Sequence, residues 1–240
     1  MRRLLLALVV PFFAASAMAE SAFNGLDLGV GFALQNVATG SGTHTNAGGA
    51  PATFDTTSKT SGNVNFNVGY NFEITDRFLL GVQASLQPFS SESVEVQKVP
   101  GSATEFQNNS RYDFSILPGV LLNPNNLLYG KVGYSYNQEN VRNANGAWAT
   151  RLDYSGYVLG MGIKSFSWGH FLGINNLYFF AEYNYAGYGS KGYSTVNTTG
   201  NTVFSSGISL HSSTGLVGFV TFFELASSQS STERTTHNLL

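Results

Sequence analysis

Cysteine is absent from this chain of 240 residues, and charged side chains are scarce. Without cysteine, neither a disulfide framework nor a lipid-modified cysteine can form. Charged residues make up 11% of the sequence, whereas soluble domains carry about 25%. A surface that faces water usually needs more charge than this. The sequence therefore predicts either a surface built from Asn, Ser, Thr and Gly or a surface that largely avoids water.

Long apolar runs are also missing, except at the amino terminus. Residues 1–19 begin with the basic "MRR", continue with the apolar "LLLALVVPFFAA" and end with the small-x-small motif Ala17-Met18-Ala19. This order is typical of a secretory signal peptide, and its apolar part is too short for a membrane-spanning helix. We expect cleavage before Glu20. Export without disulfides favours a bacterial envelope protein over a small secreted scaffold.

The charge balance argues against nucleic acid as a partner. Arg2 and Arg3 belong to the leader, which leaves ten basic residues against fourteen acidic ones. A nucleic-acid-binding domain carries a basic patch instead. The four histidines lack the ligand spacing of a metal site. The sequence therefore predicts no metal site and no cofactor.

After the leader, apolar residues recur at every second position, which predicts strands rather than helices. In "GLDLGVGFALQ" the even positions from Leu26 to Leu34 are apolar, and most odd positions hold Asp, Gly or Gln. Each such segment has about the ten residues that a tilted strand needs to cross a bilayer. The other seven segments are "NVNFNVGYNFEI", "FLLGVQASLQ", "RYDFSILPGVLL", "LLYGKVGYSYNQE", "GYVLGMGIK", "LYFFAEYNY" and "HSSTGLVGFVTFF".

The connections between these segments alternate in length. The shorter set comprises "TDR", "NPNN" and residues 165–175, and the longer set comprises 38–61, 90–109, 139–150 and 190–206. Short turns on one side and long polar loops on the other are typical of a bacterial outer-membrane barrel. A soluble sandwich also alternates, but its exposed face is usually charged, whereas the second face here is Gly, Asn, Ser and Gln. We therefore interpret residues 20–223 as all-β, an eight-stranded antiparallel up-and-down transmembrane β-barrel.

A few charged residues share the polar face and are expected inside the barrel. Because a carboxylate buried without a partner is costly, we expect Glu182 to pair with Lys131 or Arg111. We interpret the cluster as structural, since a catalytic centre would need a nucleophile, a metal or a cleft. Its members are Glu182, Lys131, Arg111, Asp113, Asp27 and Glu73, with Lys164 on the same face.

With its leader, its eight segments, "FFAEYNYAGYGS" and the closing "GLVGFVTFF", the chain resembles the small eight-stranded outer-membrane barrels, the opacity-type surface antigens and the outer-membrane protein X-like family, over residues 22–223. The resemblance implies that Phe223 is the outward aromatic residue read by the outer-membrane assembly machinery, with Gly218 shortly before it. It also implies a bacterial outer-membrane location, contact with lipid and lipopolysaccharide, and loops that bind host or cell surfaces.

The last strand and the residues after it depart from that family's pattern. Thr221 stands where an apolar outward residue is usual, and a register with Leu216, Val220 and Phe222 outward fits the alternation equally well. Both registers stay open, as does a bulge near Gly218. Residues 224–240 are polar and without periodicity, so we interpret them as a disordered periplasmic tail.

The sequence allows three functions. His211 and Ser213 lie two apart, as in barrels that remove acyl chains from lipid A, so a lipid A-modifying hydrolase is the alternative; a motif without its context is weak support. A diffusion pore is disfavoured because side chains can fill an eight-stranded interior. We favour a non-enzymatic surface protein with a plugged barrel, whose long extracellular loops serve adhesion or surface interaction and envelope integrity. The loop contacts expected are Phe54, Phe106, Trp148 and Phe204.

Overall fold

The computed structural model describes residues 22–40, 42–46, 52–54, 57–88, 93–95, 105–142, 148–166, 176–196 and 202–223. These residues form one antiparallel sheet of eleven strands. The strands are Gly25–Thr39 (β1), Gly42–Asn46 (β2), Ala52–Phe54 (β3), Thr57–Thr75 (β4), Phe78–Gln87 (β5), Ser93–Glu95 (β6), Glu105–Asn123 (β7), Asn126–Arg142 (β8), Trp148–Ser165 (β9), Leu177–Val196 (β10) and Thr202–Phe223 (β11).

Eight of the strands close into a ring. Each of β1, β4, β5, β7, β8, β9, β10 and β11 pairs with the next, and β1 also pairs with β11. The closing register runs from Leu26 opposite Phe223 to Thr39 opposite Leu210. Through closure each of these eight strands has a partner on both sides. The predicted eight-stranded up-and-down barrel is therefore confirmed.

The tight turns lie at one end of the barrel, called here the turn side. The Thr75 hydroxyl accepts hydrogen bonds from the backbone N–H groups of Arg77 and Phe78 at 3.4 and 3.2 Å. The Asn123 side chain accepts from the Asn125 backbone N–H at 2.9 Å. Such bonds from Thr and Asn favour a turn over a continuing strand. The opposite end, where the three short strands lie, is called the loop side.

The outer face of the ring carries an apolar belt. Large apolar side chains point outward on consecutive strands with 37–67% of their surface exposed. The belt ends towards the loop side. On β9 the outward-facing residues change from Tyr157 to the exposed ion pair between Arg151 and Asp153. Within the described chain, no helix is long and apolar enough to cross a membrane. Members of the belt include Leu28, Val30, Phe32, Val68, Val82, Ile116, Val132, Leu159, Met161 and Val217.

The interior has two apolar clusters with a polar middle. The turn-side cluster contains Phe23, Ala33, Leu79, Leu117, Leu127, Tyr129, Tyr178, Phe180, Leu216, Val220 and Phe222. The loop-side cluster contains Val37, Val141, Leu152, Tyr154, Val158, Ala186, Tyr188, Ile208 and Leu210. Between them lie buried polar and charged side chains. An apolar residue in this chain can therefore face either lipid or the interior.

Strands continue into the four segments that the alternation assigns to loops. Residues 38–61 contain β2, β3 and the start of β4, while β7 begins at Glu105 and β8 extends to Arg142. β10 extends to Val196, and β11 begins at Thr202. The sequence underestimates these strands because polar residues occupy the outward face and part of the inward face beyond the apolar belt, which weakens the period-two signal.

The last strand follows the register with Phe223 outward. Phe223 is 45% exposed, whereas Leu216, Val220 and Phe222 are buried inside. Its pairing with β1 is continuous through Gly218, without a bulge. The register with Leu216, Val220 and Phe222 outward is therefore wrong. Their inward placement follows from the apolar turn-side cluster that they complete.

Candidate functional site

The interior of the barrel holds most of the predicted charged cluster, arranged as three ion pairs. Lys131 pairs with Glu182 at 2.9 Å, Arg111 with Asp113 at 2.9 Å, and Lys164 with Asp27 at 2.7 Å. All six side chains are at most 4% exposed. Two of the pairs join strands that are not neighbours, namely β8 with β10 and β9 with β1.

Glu182 lies at the centre of one group of donors. Its carboxylate accepts from the Lys131 ammonium at 2.9 Å, from the Tyr129 hydroxyl at 2.8 Å and from the Asn184 amide. Of the two partners that the sequence allows, the structure places Lys131 beside it. Three donors to one carboxylate offset the cost of removing it from water.

Two glycines of β9 allow this group to form across a strand. Gly162 is opposite Tyr129 on one neighbour and Glu182 on the other, and Gly160 is likewise flanked by Lys131 and Asn184. A Cβ atom at Gly162 would lie 2.5 Å from the Tyr129 hydroxyl oxygen. A Cβ atom at Gly160 would meet the Asn184 amide. The glycines thus leave the space in which β8 and β10 side chains meet.

Arg111 connects opposite walls of the barrel. Its guanidinium donates to Asp113 at 2.9 Å and, across the interior, to Thr214 of β11 at 3.2 Å. Ser135 donates to the same Asp113 oxygen at 2.6 Å and is 2.8 Å from the Tyr188 hydroxyl. This network links β7, β8, β10 and β11 through the middle of the barrel.

The third pair lies closer to the turn side. Asp27 accepts from Lys164 and from the Asn71 amide at 2.9 Å. The Lys164 ammonium also lies 5.1 Å from the Phe222 ring centre, within cation–π range. Glu73 follows Asn71 on the same face of β4 and is half-buried beside the turn. The three interior ion pairs do not include Glu73, although the sequence groups it with them.

A fourth buried carboxylate, Glu139, lies at the loop side beyond the apolar belt. It is opposite Leu152, which lies between the exposed Arg151 and Asp153 on β9. The Asn137 amide donates to its carboxylate at 3.3 Å. Burial raises the pKa of Glu139 to about 8, and the Asn137 hydrogen bond opposes this effect. This residue differs from the other three buried carboxylates of the described residues, each of which faces Lys or Arg.

His211 and Ser213 lie on the outer face and are half-buried. The Tyr185 hydroxyl is 3.0 Å from His211 Nδ1, and the two rings are stacked at 6.1 Å. Within the described residues, no carboxylate hydrogen-bonds to His211, so this pair lacks the third member of a hydrolytic triad. Nor do those residues contain three or more His, Cys, Asp or Glu side chains grouped to hold a metal ion.

Comparison with known proteins agrees with this architecture. The family model described as "Outer membrane protein beta-barrel domain" matches residues 5–211. The chain belongs to this family of outer-membrane β-barrel proteins. No curated protein shows significant sequence similarity to the chain.

Solved barrels show the same fold at low sequence identity. The outer membrane protein OprG from Pseudomonas aeruginosa is 12% identical, with a TM-score of 0.54 over 85% of this chain and 100% of OprG. The outer membrane protein AlkL is 13% identical, with a TM-score of 0.51 over 89% of this chain and 98% of AlkL. As in other members of the outer-membrane β-barrel family, the apolar belt faces lipid and the protein resides in the bacterial outer membrane.

Several predicted sites have no described side chain. The backbones of Phe54, Phe106, Trp148 and Phe204 lie in strands at the loop side, but their side chains lie outside what the structure describes. The same holds for His44. The leader, His170 and the polar tail with His237 are outside the described residues.

The alternation of the sequence gives no indication of Glu139 and its neighbours Asn137 and Asn108 as a site. The alternation is lost there because Gln138 and Asn140, which point outward, are as polar as the inward residues. A bulge between Asn108 and Ser110 also changes which residues of β7 face inward. A buried carboxylate near the end of a strand gives no signal of its own in one sequence.

Proposed function

We propose that the protein is a non-enzymatic surface anchor of the bacterial outer membrane. In this proposal a barrel with a plugged interior holds the loop-side segments outside the cell for adhesion or surface interaction. The observation that carries it is the interior of the barrel, which contains two apolar clusters and three buried ion pairs. Side chains can fill an eight-stranded interior, so in this proposal solutes do not pass through the barrel and the loops are the functional part.

The loop-side architecture supports display of these segments. The pairing of β2 with β3 and with β11, and of β6 with β7, extends the sheet past the apolar belt. Binding residues are often carried by loops on a rigid scaffold. We expect Phe54, Phe106, Trp148 and Phe204 to contribute contacts to host or cell surfaces. The barrel wall itself contacts lipid and, in the outer leaflet, lipopolysaccharide.

The orientation and the assembly signal belong to the same proposal. We place the loop side outside the cell, and the turns and the polar tail in the periplasm. Phe223 is exposed on the outer face at the end of β11. We expect an aromatic residue in this position to be recognised by the assembly machinery. Gly218 packs against the β1 backbone at Val30 and Gly31, so it also has a structural reason to be glycine.

Shortening the loops tests the proposal. Bacteria that lack other adhesins would express either the intact protein or a variant with Gly-Ser turns in place of residues 47–51, 96–104, 143–147 and 197–201. The variant would also carry Phe54→Ala, Phe106→Ala, Trp148→Ala and Phe204→Ala. We expect both barrels to show heat-modifiable migration in gels, and only the intact protein to support adherence to epithelial monolayers or to other bacteria. Equal adherence of both strains, or a large conductance of the purified intact protein in planar bilayers, would refute the proposed role.

A further inference from the structure

Glu139, Asn137 and Asn108 bring three side chains together at the loop side of the interior. Asn137 and Glu139 are two apart on the inward face of β8, and Asn108 of β7 is directly opposite Glu139. The extra residue Asn109 forms a bulge, and this shift turns Asn108 inward. The three residues are 5%, 1% and 2% exposed for Asn108, Asn137 and Glu139.

Each residue presents a buried oxygen that no donor of the described chain satisfies. These atoms are Glu139 Oε2, Asn137 Oδ1 and Asn108 Oδ1. The Asn137 amide nitrogen is already directed to the other Glu139 oxygen at 3.3 Å. Buried polar groups are normally hydrogen-bonded, so three neighbouring acceptor oxygens without a donor point to a ligand. Arg111, opposite Asn137 on β7, has a guanidinium nitrogen, Nη2, that none of these oxygens contacts.

The negative charge of Glu139 also favours a bound cation. The other buried carboxylates among the described residues, Asp27, Asp113 and Glu182, are each within 2.9 Å of a Lys or Arg nitrogen. Glu139 has no ion pair of this kind among the described residues. A water molecule would satisfy the amide oxygens but leave the negative charge, and a proton on Glu139 would remove the charge but supply one donor for two amide oxygens. A cation satisfies both.

We propose that Glu139, Asn137 and Asn108 form a binding site for a hard divalent cation of the Ca²⁺ class. Carboxylate and amide oxygens are ligands that Ca²⁺ prefers, with water completing its six to eight positions. The absence of nitrogen and sulfur donors in this set disfavours zinc. The site is beyond the apolar belt, on the side that faces the external medium under the proposed orientation. Binding there would join β7 to β8 where both extend beyond the membrane.

The ligand count sets the expected affinity. With a single carboxylate, dissociation constants of about 10⁻⁴–10⁻³ M are typical of extracellular Ca²⁺ sites. At a dissociation constant of about 1 mM, 10 mM Ca²⁺ would favour the folded state about elevenfold. Binding should therefore be saturable in the millimolar range rather than permanent.

Terbium luminescence provides a direct test on the full-length barrel in a non-ionic detergent at pH 8. Tb³⁺ replaces Ca²⁺ and emits when excited through nearby tyrosines; Tyr154 is opposite Asn137 in the sheet and is fully buried. We expect a saturable signal that millimolar Ca²⁺ removes. Glu139→Gln should abolish the competed signal. Asp153→Asn, which removes a carboxylate at the same height on the outer face, should retain it.

A gain-of-function variant keeps the test independent of folding losses. Asn108→Asp adds a second carboxylate to the site and should tighten Ca²⁺ binding about tenfold, because affinity rises with ligand charge. Equal luminescence in the intact protein and Glu139→Gln, or no tightening in a folded Asn108→Asp variant, would overturn the proposal. An unfolding midpoint that responds to pH but not to Ca²⁺ would assign the site to a proton or water, and would also overturn it.

Discussion

The ion pair between Glu182 and Lys131 allows a quantitative test of the interior. In Glu182→Gln the side chain keeps its shape but loses its charge, so Lys131 stays buried without a counter-ion. With its carbonyl oxygen in the place of Glu182 Oε1, the new amide accepts from Lys131 and Asn184, while its NH₂ group is placed against the Tyr129 hydroxyl. Breaking one partner of a buried pair costs about 3–5 kcal/mol. We expect the free energy of unfolding to fall by about 3 kcal/mol or more.

Urea titration of the barrel in lipid vesicles measures this loss, provided that unfolding and refolding curves coincide. The fluorescence of the two tryptophans reports the transition. With a slope of about 2–3 kcal/mol per molar urea, the midpoint should fall by about 1 M or more. Asp153→Asn is the matched control, because its pair with Arg151 is half exposed. Such surface pairs contribute about 0–1 kcal/mol.

A double-mutant cycle separates the pair from the packing around it. Replacing Lys131 by Met together with Glu182→Gln removes both charges, and swapping a buried pair for neutral groups is often near neutral. The double variant should therefore be more stable than Glu182→Gln alone, with a coupling energy of about 2 kcal/mol or more between the two positions. A Glu182→Gln midpoint equal to that of the unaltered protein would refute the assignment of a buried, charged pair.

Three further outcomes are expected. Gly218→Ala should destabilise the barrel by about 1–3 kcal/mol in the same titration, because its Cβ atom would overlap the β1 backbone. Gly215 has open space around it, so Gly215→Ala should be neutral. Equal effects of the two substitutions would contradict this packing. Phe223→Ala should reduce the amount of folded protein in outer-membrane fractions more than Thr221→Ala, unless the assembly machinery reads another residue. His211→Ala should leave the acyl chains of lipid A unchanged by mass spectrometry, and a restored chain would favour the hydrolase.

The architecture could be predicted because its cause is local. Successive residues of a barrel strand face lipid and the interior in turn, whatever the other strands do. Strands such as β1 and β5 can therefore each be predicted from their own sequence. The inward position of Glu182 follows from the same rule. The pairing of Glu182 with Lys131 rather than Arg111 does not follow from this rule, because it depends on how far neighbouring strands are shifted against each other.

Two features needed the structure. The register of β11 is ambiguous in sequence because Val220 and Phe222 face an apolar interior while Phe219 and Phe223 face outward, so both faces of the strand are apolar. The bulge at Asn109 adds one residue to β7 and reverses the alternation before it. No residue in "EFQNNSR" indicates a bulge at that position, so the grouping of the Asn108 and Asn137 side chains with Glu139 could not be predicted.

The central claim, a barrel that crosses the outer membrane with its loop side outside, is tested most directly by cysteine labelling. Because the chain has no cysteine, Ser58→Cys at the loop side and Asp76→Cys in the β4–β5 turn each introduce a single thiol at an exposed position. Intact cells would be treated with a membrane-impermeant maleimide, before and after the outer membrane is permeabilised. We expect the Ser58 variant to react in intact cells and the Asp76 variant only after permeabilisation. Labelling of the Asp76 variant, but not the Ser58 variant, in intact cells would contradict the claim.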